Sequence, residues 1–200
     1  MKSFQPERPF TLYFVRHGVT ESNLRGFRCG GDLDLPMMDL GSDQVYQLAK
    51  QIETMKLDIG LIITGSLLRT RQTATIISAV LGGLPIIVEP LLNERRLGQW
   101  NNRSIAETEG MLKSGVTPPG GEAEQEFAAR VASALEGLRT QLNRRPLIVS
   151  SKGVARVLAN LLGAPQRLNL ANGQIVEFSL ARPATGHISH HQQASRLKSA

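Results

Sequence analysis

The chain has 200 residues, 41% hydrophobic and 20% charged, which suits one globular domain with a sizeable core. No apolar run approaches the length that spans a bilayer, the polar start around Pro6 and Pro9 carries no secretory pattern, and the single Cys29 excludes an internal disulfide; the expected location is the cytoplasm. The net charge is +6, but the basic residues are scattered with few aromatics between them, which argues against nucleic acid and for a solvated surface that attracts anionic substrates.

Residues 10–15 are aromatic and β-branched and predict a buried strand that ends on Arg16-His17-Gly18. Residues 42–55 carry Val45, Leu48, Ala49 and Ile52 at helical spacing. Residues 59–64 predict a second strand, and residues 68–81, with Ala74, Ile77 and Leu81 on one side, a second helix. A break at Gly82-Gly83-Leu84-Pro85 precedes a short strand at 86–88. After a further break at Pro118-Pro119-Gly120-Gly121, residues 122–142 align Phe127, Val131, Leu135, Leu138 and Leu142 in one stripe. Residues 147–150 predict a strand, 154–162 a helix and 175–180 a last strand.

This alternation predicts a three-layer α/β/α sandwich with a mostly parallel central sheet, filling residues 1–182. Residues 183–200 form a polar C-terminal tail. Its His187, His190 and His191 have no carboxylate or cysteine beside them and read as solvated rather than metal-binding.

Three segments carry chemistry. Arg16-His17-Gly18, with Thr20 and Asn23 beyond, sets an imidazole beside a fixed cation at a strand's carboxyl end. Arg69 lies near the start of the helix after the second strand, where backbone N–H groups favour an anion. Glu94 precedes Gly98-Gln99-Trp100. Each alone also fits a solvated strand end or a surface ion pair.

Taken together, they resemble the histidine phosphatase superfamily, also called the phosphoglycerate mutase-like family. Arg28-Cys29-Gly30-Gly31 followed by Asp34-Leu35-Pro36 is similar to its Arg-x-Gln-Gly-x-x-Asp-x-Pro stretch. The Arg69 segment resembles Ser-Pro-Leu-x-Arg-Ala-x-Gln-Thr-Ala, with Gly65 and Ser66 in place of Ser-Pro. Glu94 to Trp100 matches Glu-x-x-x-Gly-x-Trp, and Pro119-Gly120-Gly121-Glu122 and Asn172-Gly173-Gln174-Ile175 fit two further segments. The likeness runs from about Thr11 to Leu180.

The resemblance implies roles. His17 takes the phosphoryl group, Arg16 and Arg69 grip its oxygens, Asn23 adds a donor, and Glu94 protonates the leaving oxygen and then helps to activate water. Gly18 and Thr20 join the substrate-binding loop. Two cations beside His17 keep the imidazole neutral. The family's Val-Ser-His-Gly-x-x-x-Arg segment corresponds to Val149-Ser150-Ser151-Lys152-Gly153-Val154-Ala155-Arg156, so Ser151 stands where the second histidine is expected. Ser151 and Lys152 are then candidates to hold the phosphate. Trp100 reads as packing, Cys29 as a bystander thiol in a loop that reaches the pocket, Glu107 as helix surface, and Arg156 as structural. Arg71, Arg95, Arg96 and Arg103 read as solvated faces, with contact to substrate open to one of them that the sequence does not pick out.

The expected activity is a phosphomonoester hydrolase acting through phospho-His17, with reduced activity, on a small phosphorylated substrate, without cofactor, metal, nucleic acid or membrane. Two alternatives stand beside it: a phosphoglycerate mutase, and a catalytically impaired member that binds a phosphorylated ligand. The resemblance argues against the mutase: the family's cofactor-dependent mutases are longer, with insertions that close the pocket, and beside them the stretch between Trp100 and Gly121 is short, which implies an open pocket and water as the acceptor.

Overall fold

A computed structural model describes residues 4, 8–164 and 169–180. Its elements are β1 (Phe10–Arg16), α1 (Glu21–Leu24), α2 (Asp39–Met55), β2 (Ile62–Thr64), α3 (Leu68–Val80), β3 (Ile86–Val88), α4 (Ile105–Lys113), α5 (Glu124–Gly137), β4 (Leu147–Ser150), α6 (Lys152–Leu161) and β5 (Ile175–Leu180). The sheet is ordered β3-β2-β4-β1-β5. Strands β1 to β4 are parallel, and β5 runs antiparallel to β1. The expected three-layer, mostly parallel architecture is therefore present.

Alternation along the strands divides the core in two. Leu12 and Phe14 of β1, Ile63 of β2 and Ile148 of β4 share a cluster with Phe127, Val131, Leu135 and Leu158 of α5 and α6. Tyr13, Val15, Ile62, Leu147 and Val149 share the other with Val45, Ile52, Ala74 and Ile77 of α2 and α3. Each fully buried aliphatic side chain contributes about 1.5–3 kcal/mol, so both faces lock the central strands.

Some boundaries differ from expectation. The second strand begins at Ile62 rather than 59, because the Gly60 N–H bonds the Arg144 carbonyl at 3.0 Å instead of a neighbouring strand. The long helix predicted over 122–142 spans Glu124–Gly137. A 3-10 segment, Arg139–Arg144, then carries Leu142 into the core, and Arg145, at φ 48°, reverses the chain into β4.

Helix α4 is foreshadowed in the sequence only by Glu107, read as helix surface; its extent is new. Ser104 and Glu107 close a capping box at its N-terminus. The stretch before it runs beside residues 26–28: Phe27 bridges Ser104, and the Ile105 N–H bonds the Gly26 carbonyl at 2.9 Å. The polar tail, with its three histidines, lies outside the described residues. No helix among the described residues is long and apolar enough to cross a membrane.

Candidate active site

Adjacent parallel strands β1 and β4 end at one level, with Arg16 opposite Ser150. The His17 N–H donates to the Ser150 carbonyl at 3.0 Å, so residues 17 and 151 leave the sheet side by side. Ligands of α/β sheets bind at this carboxyl edge. A cavity of about 580 Å³ opens there, and Arg16, His17, Asn23, Glu94, Ser151 and Lys152 are among its lining residues.

His17 is almost fully buried, and its Nδ1 lies 2.8 Å from the Gly18 carbonyl oxygen. A carbonyl only accepts, so Nδ1 carries the proton and Nε2 keeps its lone pair. Burial first, then the Arg69 guanidinium, pulls the imidazole pKa down to about 3; Arg16 adds to this, and the Gly18 carbonyl opposes it. The ring is neutral at pH 7, as expected, but burial outweighs the cations as the cause.

Arg16 donates through Nη1 to the Leu170 carbonyl at 2.9 Å. Asn23 uses its Oδ1 to accept from the Thr20 N–H at 3.2 Å and from Asn172 Nδ2 at 3.0 Å, which leaves its own Nδ2 as a donor. Asn172 Nδ2 also donates to the His17 carbonyl at 2.9 Å, fixing the loop after β1 from the β5 side. Three buried polar atoms lack a hydrogen-bond partner among the described residues: Arg16 Nε, Arg95 Nη2 and Ser151 Oγ. All three belong to residues that line the cavity. An unmet buried donor costs about 1–3 kcal/mol, which an oxyanion ligand restores.

Glu94 turns its carboxylate to the start of α6. Oε2 accepts from the Gly153 N–H at 3.0 Å, and Oε1 from the Arg95 N–H at 2.8 Å. The first-turn amide of a helix favours such a charge. Lys152 extends along the cavity rim, where Nζ donates to Asn169 Oδ1 at 3.1 Å. Ser151 is the N-cap residue of α6, with no side-chain capping bond.

Three expected site residues lie behind the cavity wall rather than on it. Arg69 is 1% exposed, and its Nη1 and Nη2 donate to the carbonyls of Leu33 and Gly30 at 2.9 and 3.1 Å. Its charge helps to lower the His17 pKa, and it is not among the cavity's lining residues. Gly18 is a packing position: a Cβ there would meet the Gly41 carbonyl oxygen at 2.5 Å, so α2 approaches the loop after β1 closely. Thr20 is buried and caps α1.

Several lining residues escaped the sequence analysis. Arg95, read as solvated, is 4% exposed; its Nε donates to the Glu122 carbonyl at 2.8 Å, and its Nη1 pairs with Glu124 at 2.6 Å. Arg156, read as structural, also lines the cavity and pairs with Glu124 at 2.8 Å. Helix α4 contributes Ile105, Glu109, Leu112 and Lys113, at spacings that put them on one helical face. Arg28 fixes this helix, donating to Thr108 Oγ1 at 2.8 Å and to Glu109 at 2.6 Å. Trp100 is buried, as expected of a packing residue, and Glu107 is an exposed cap. Cys29 lines the cavity, and burial pushes its thiol pKa up, which keeps it protonated.

Comparison with known proteins agrees with this arrangement. Residues 12–184 match the histidine phosphatase superfamily (branch 1). A protein named probable phosphoglycerate mutase GpmB, from Photorhabdus laumondii, is 37% identical over 178 residues, covering 80% of each chain. The solved structure of mycobacterial hydrolase 1 superposes with a TM-score of 0.74 at 25% identity, over 86% of this chain and 93% of that one. A mycobacterial glucosyl-3-phosphoglycerate phosphatase in complex with VO3 shares the fold, with a TM-score of 0.71 at 24% identity over 84% and 90% of the two chains. A match over most of its length, on a sheet that sets His17 at the cavity edge, means that this chain belongs to the histidine phosphatase superfamily.

Proposed function

We propose that this chain hydrolyses small phosphomonoesters through a phosphohistidine on His17. One observation carries the reading: a buried, neutral imidazole whose Nδ1–H is held by the Gly18 carbonyl, leaving Nε2 as the nucleophile at the cavity. In the first step Nε2 attacks phosphorus and the P–O bond to the alcohol breaks. Glu94, entering as the carboxylic acid, gives its proton to the departing oxygen. In the second step water attacks the phosphorus of phospho-His17. The Glu94 carboxylate takes the proton, the N–P bond breaks, and its electron pair returns to Nε2. Ester and water become alcohol and phosphate.

Arg16 Nε, Asn23 Nδ2 and Ser151 Oγ supply hydrogen bonds to the phosphoryl oxygens, and the charges of Arg16 and Arg69 stand in for a metal in this scheme. Ser151 takes the position of the family's second histidine, and its uncharged hydroxyl lowers the rate. Water as acceptor is favoured over a second hydroxyl because the rim is open: the Lys113 and Arg156 side chains are 75% and 53% exposed. The catalytic unit in this reading is residues 1–182.

The test is phosphate release from 4-nitrophenyl phosphate. Wild type is expected to turn over, and His17→Ala to lose at least about a thousandfold. Tight phosphate binding with no release by wild type would instead favour an impaired binder. Phosphoryl exchange between phosphoglycerates outrunning hydrolysis would favour a mutase.

A further inference from the structure

Arg130, on α5, lies outside the cavity lining, yet its guanidinium spans the backbone that carries Glu94. Nη1 donates to the carbonyls of Leu91 and Asn93 at 2.7 and 3.1 Å, and Nη2 to the Glu94 carbonyl at 3.2 Å. Its remaining donors meet Glu122 in a two-point pair: Nε to Oε1 at 2.9 Å and Nη2 to Oε2 at 2.8 Å. The guanidinium carbon lies 5.2 Å from the ring centroid of Phe127, which itself lines the cavity. Glu122 is 2% exposed, and its Oε2 accepts from the Arg96 N–H at 3.3 Å. Burial works to raise the Glu122 pKa, but Arg130 and the Arg96 N–H outweigh it and hold the carboxyl below its ordinary value. One ion pair, between the half-buried Arg130 and the buried Glu122, thus ties the chain on both sides of Glu94.

We propose that Arg130 and Glu122 form a positioning device that sets the aim of the Glu94 carboxyl at the leaving oxygen. This inference rests on the reading of Glu94 as proton donor. The loop needs it because residues 93–97 have no regular hydrogen-bond ladder of their own. A planar fork of five donors serves three carbonyls and a carboxylate at once, which a lysine cannot do. Placement matters because a shift of about 1 Å in a reacting group costs on the order of a hundredfold in rate.

The test compares kcat/KM for phenyl phosphate and 4-nitrophenyl phosphate, which differ mainly in how much the leaving oxygen needs a proton. Arg130→Lys keeps the charge beside Glu122 but releases the carbonyls. It is expected to lose about a hundredfold on phenyl phosphate while 4-nitrophenyl phosphate stays near wild type, with inhibition by inorganic phosphate unchanged. Glu122→Gln, which loosens Arg130 without removing it, is expected to discriminate in the same direction by about tenfold and serves if Arg130→Lys does not fold. Equal losses on both esters, or no loss on either, overturn the proposal. Glu94→Gln is the reference. If it discriminates and the Arg130 and Glu122 variants do not, only the positioning role falls. If Glu94→Gln itself fails to discriminate, the Glu94 reading falls and this inference falls with it.

Discussion

Glu94 and Gly153 are fitted to one another. The Glu94 Oε2 accepts the Gly153 N–H at 3.0 Å, and a Cβ built on Gly153 would lie 2.1 Å from Oε1. The carboxylate therefore rests against the first turn of α6 only because residue 153 has no side chain. That contact sets where the Glu94 carboxyl lies in the cavity that His17 and Ser151 also line.

Gly153→Ala exploits this fit. The obstructing atoms are the far end of a flexible side chain, so the fold absorbs the methyl for less than about 1 kcal/mol. Glu94 swings away, and turnover of esters with basic leaving groups is expected to fall about a hundredfold. Thermal melting and kcat measured on the same preparation check both halves. A large loss of stability with unchanged turnover would contradict the assignment.

The buried imidazole makes stability depend on pH. The folded pKa of His17 is about 3, below its ordinary value of 6.5, so the unfolded chain takes up this proton first as pH falls. The contribution is complete above about 6.5 and is lost progressively between 6.5 and 3, up to on the order of 5 kcal/mol. Denaturant unfolding at neutral and mildly acid pH is expected to show a steeper loss for wild type than for His17→Asn. Carboxylates such as Glu122 titrate in both proteins, so the difference isolates His17. Parallel profiles would mean that the ring is not held neutral.

Arg69→Met separates charge from scaffolding. Removing the guanidinium leaves the Gly30 carbonyl with only the long bond from the Leu33 N–H at 3.4 Å and the Leu33 carbonyl with only the Cys29 thiol at 3.5 Å, and is expected to cost about 2–4 kcal/mol. It also removes a cation beside His17, so the imidazole pKa rises from about 3. Arg69→Lys retains the charge and is expected to leave the pKa nearer wild type. Titration of the ring by NMR distinguishes the two. No rise in Arg69→Met would contradict an electrostatic role.

Ser151→His tests the proposed replacement of the second histidine. The Ser151 hydroxyl is buried in the cavity wall without a hydrogen-bond partner among the described residues. Supplying a charged donor there is expected to raise turnover by about 10²–10³. An unchanged or lower rate would mean that Lys152 or another group already fills the role.

The central strands were legible because each is an apolar run feeding a polar motif, as with Phe14 and Val15 before Arg16-His17. Of helix α4 only the surface position of Glu107 was, because Ile105 and Leu112 face the cavity and so form no core stripe. Its Ser104–Glu107 capping box was the signal available. The family resemblance singled out His17, Glu94 and Ser151, and all three line the cavity. Arg95 was not singled out, because its burial depends on Glu122 and Glu124, nearly thirty residues away. Spacing put Arg69 at the right end of its helix but carried no information on where its guanidinium turns.

The most direct measurement is the intact mass of the protein after brief exposure to 4-nitrophenyl phosphate and a quench in alkali, which preserves phosphohistidine. One added phosphoryl group is expected on wild type, with the modification mapping to residue 17 and missing from His17→Ala. Turnover with no trapped adduct, or an adduct that persists when residue 17 is alanine, would contradict covalent catalysis through this imidazole.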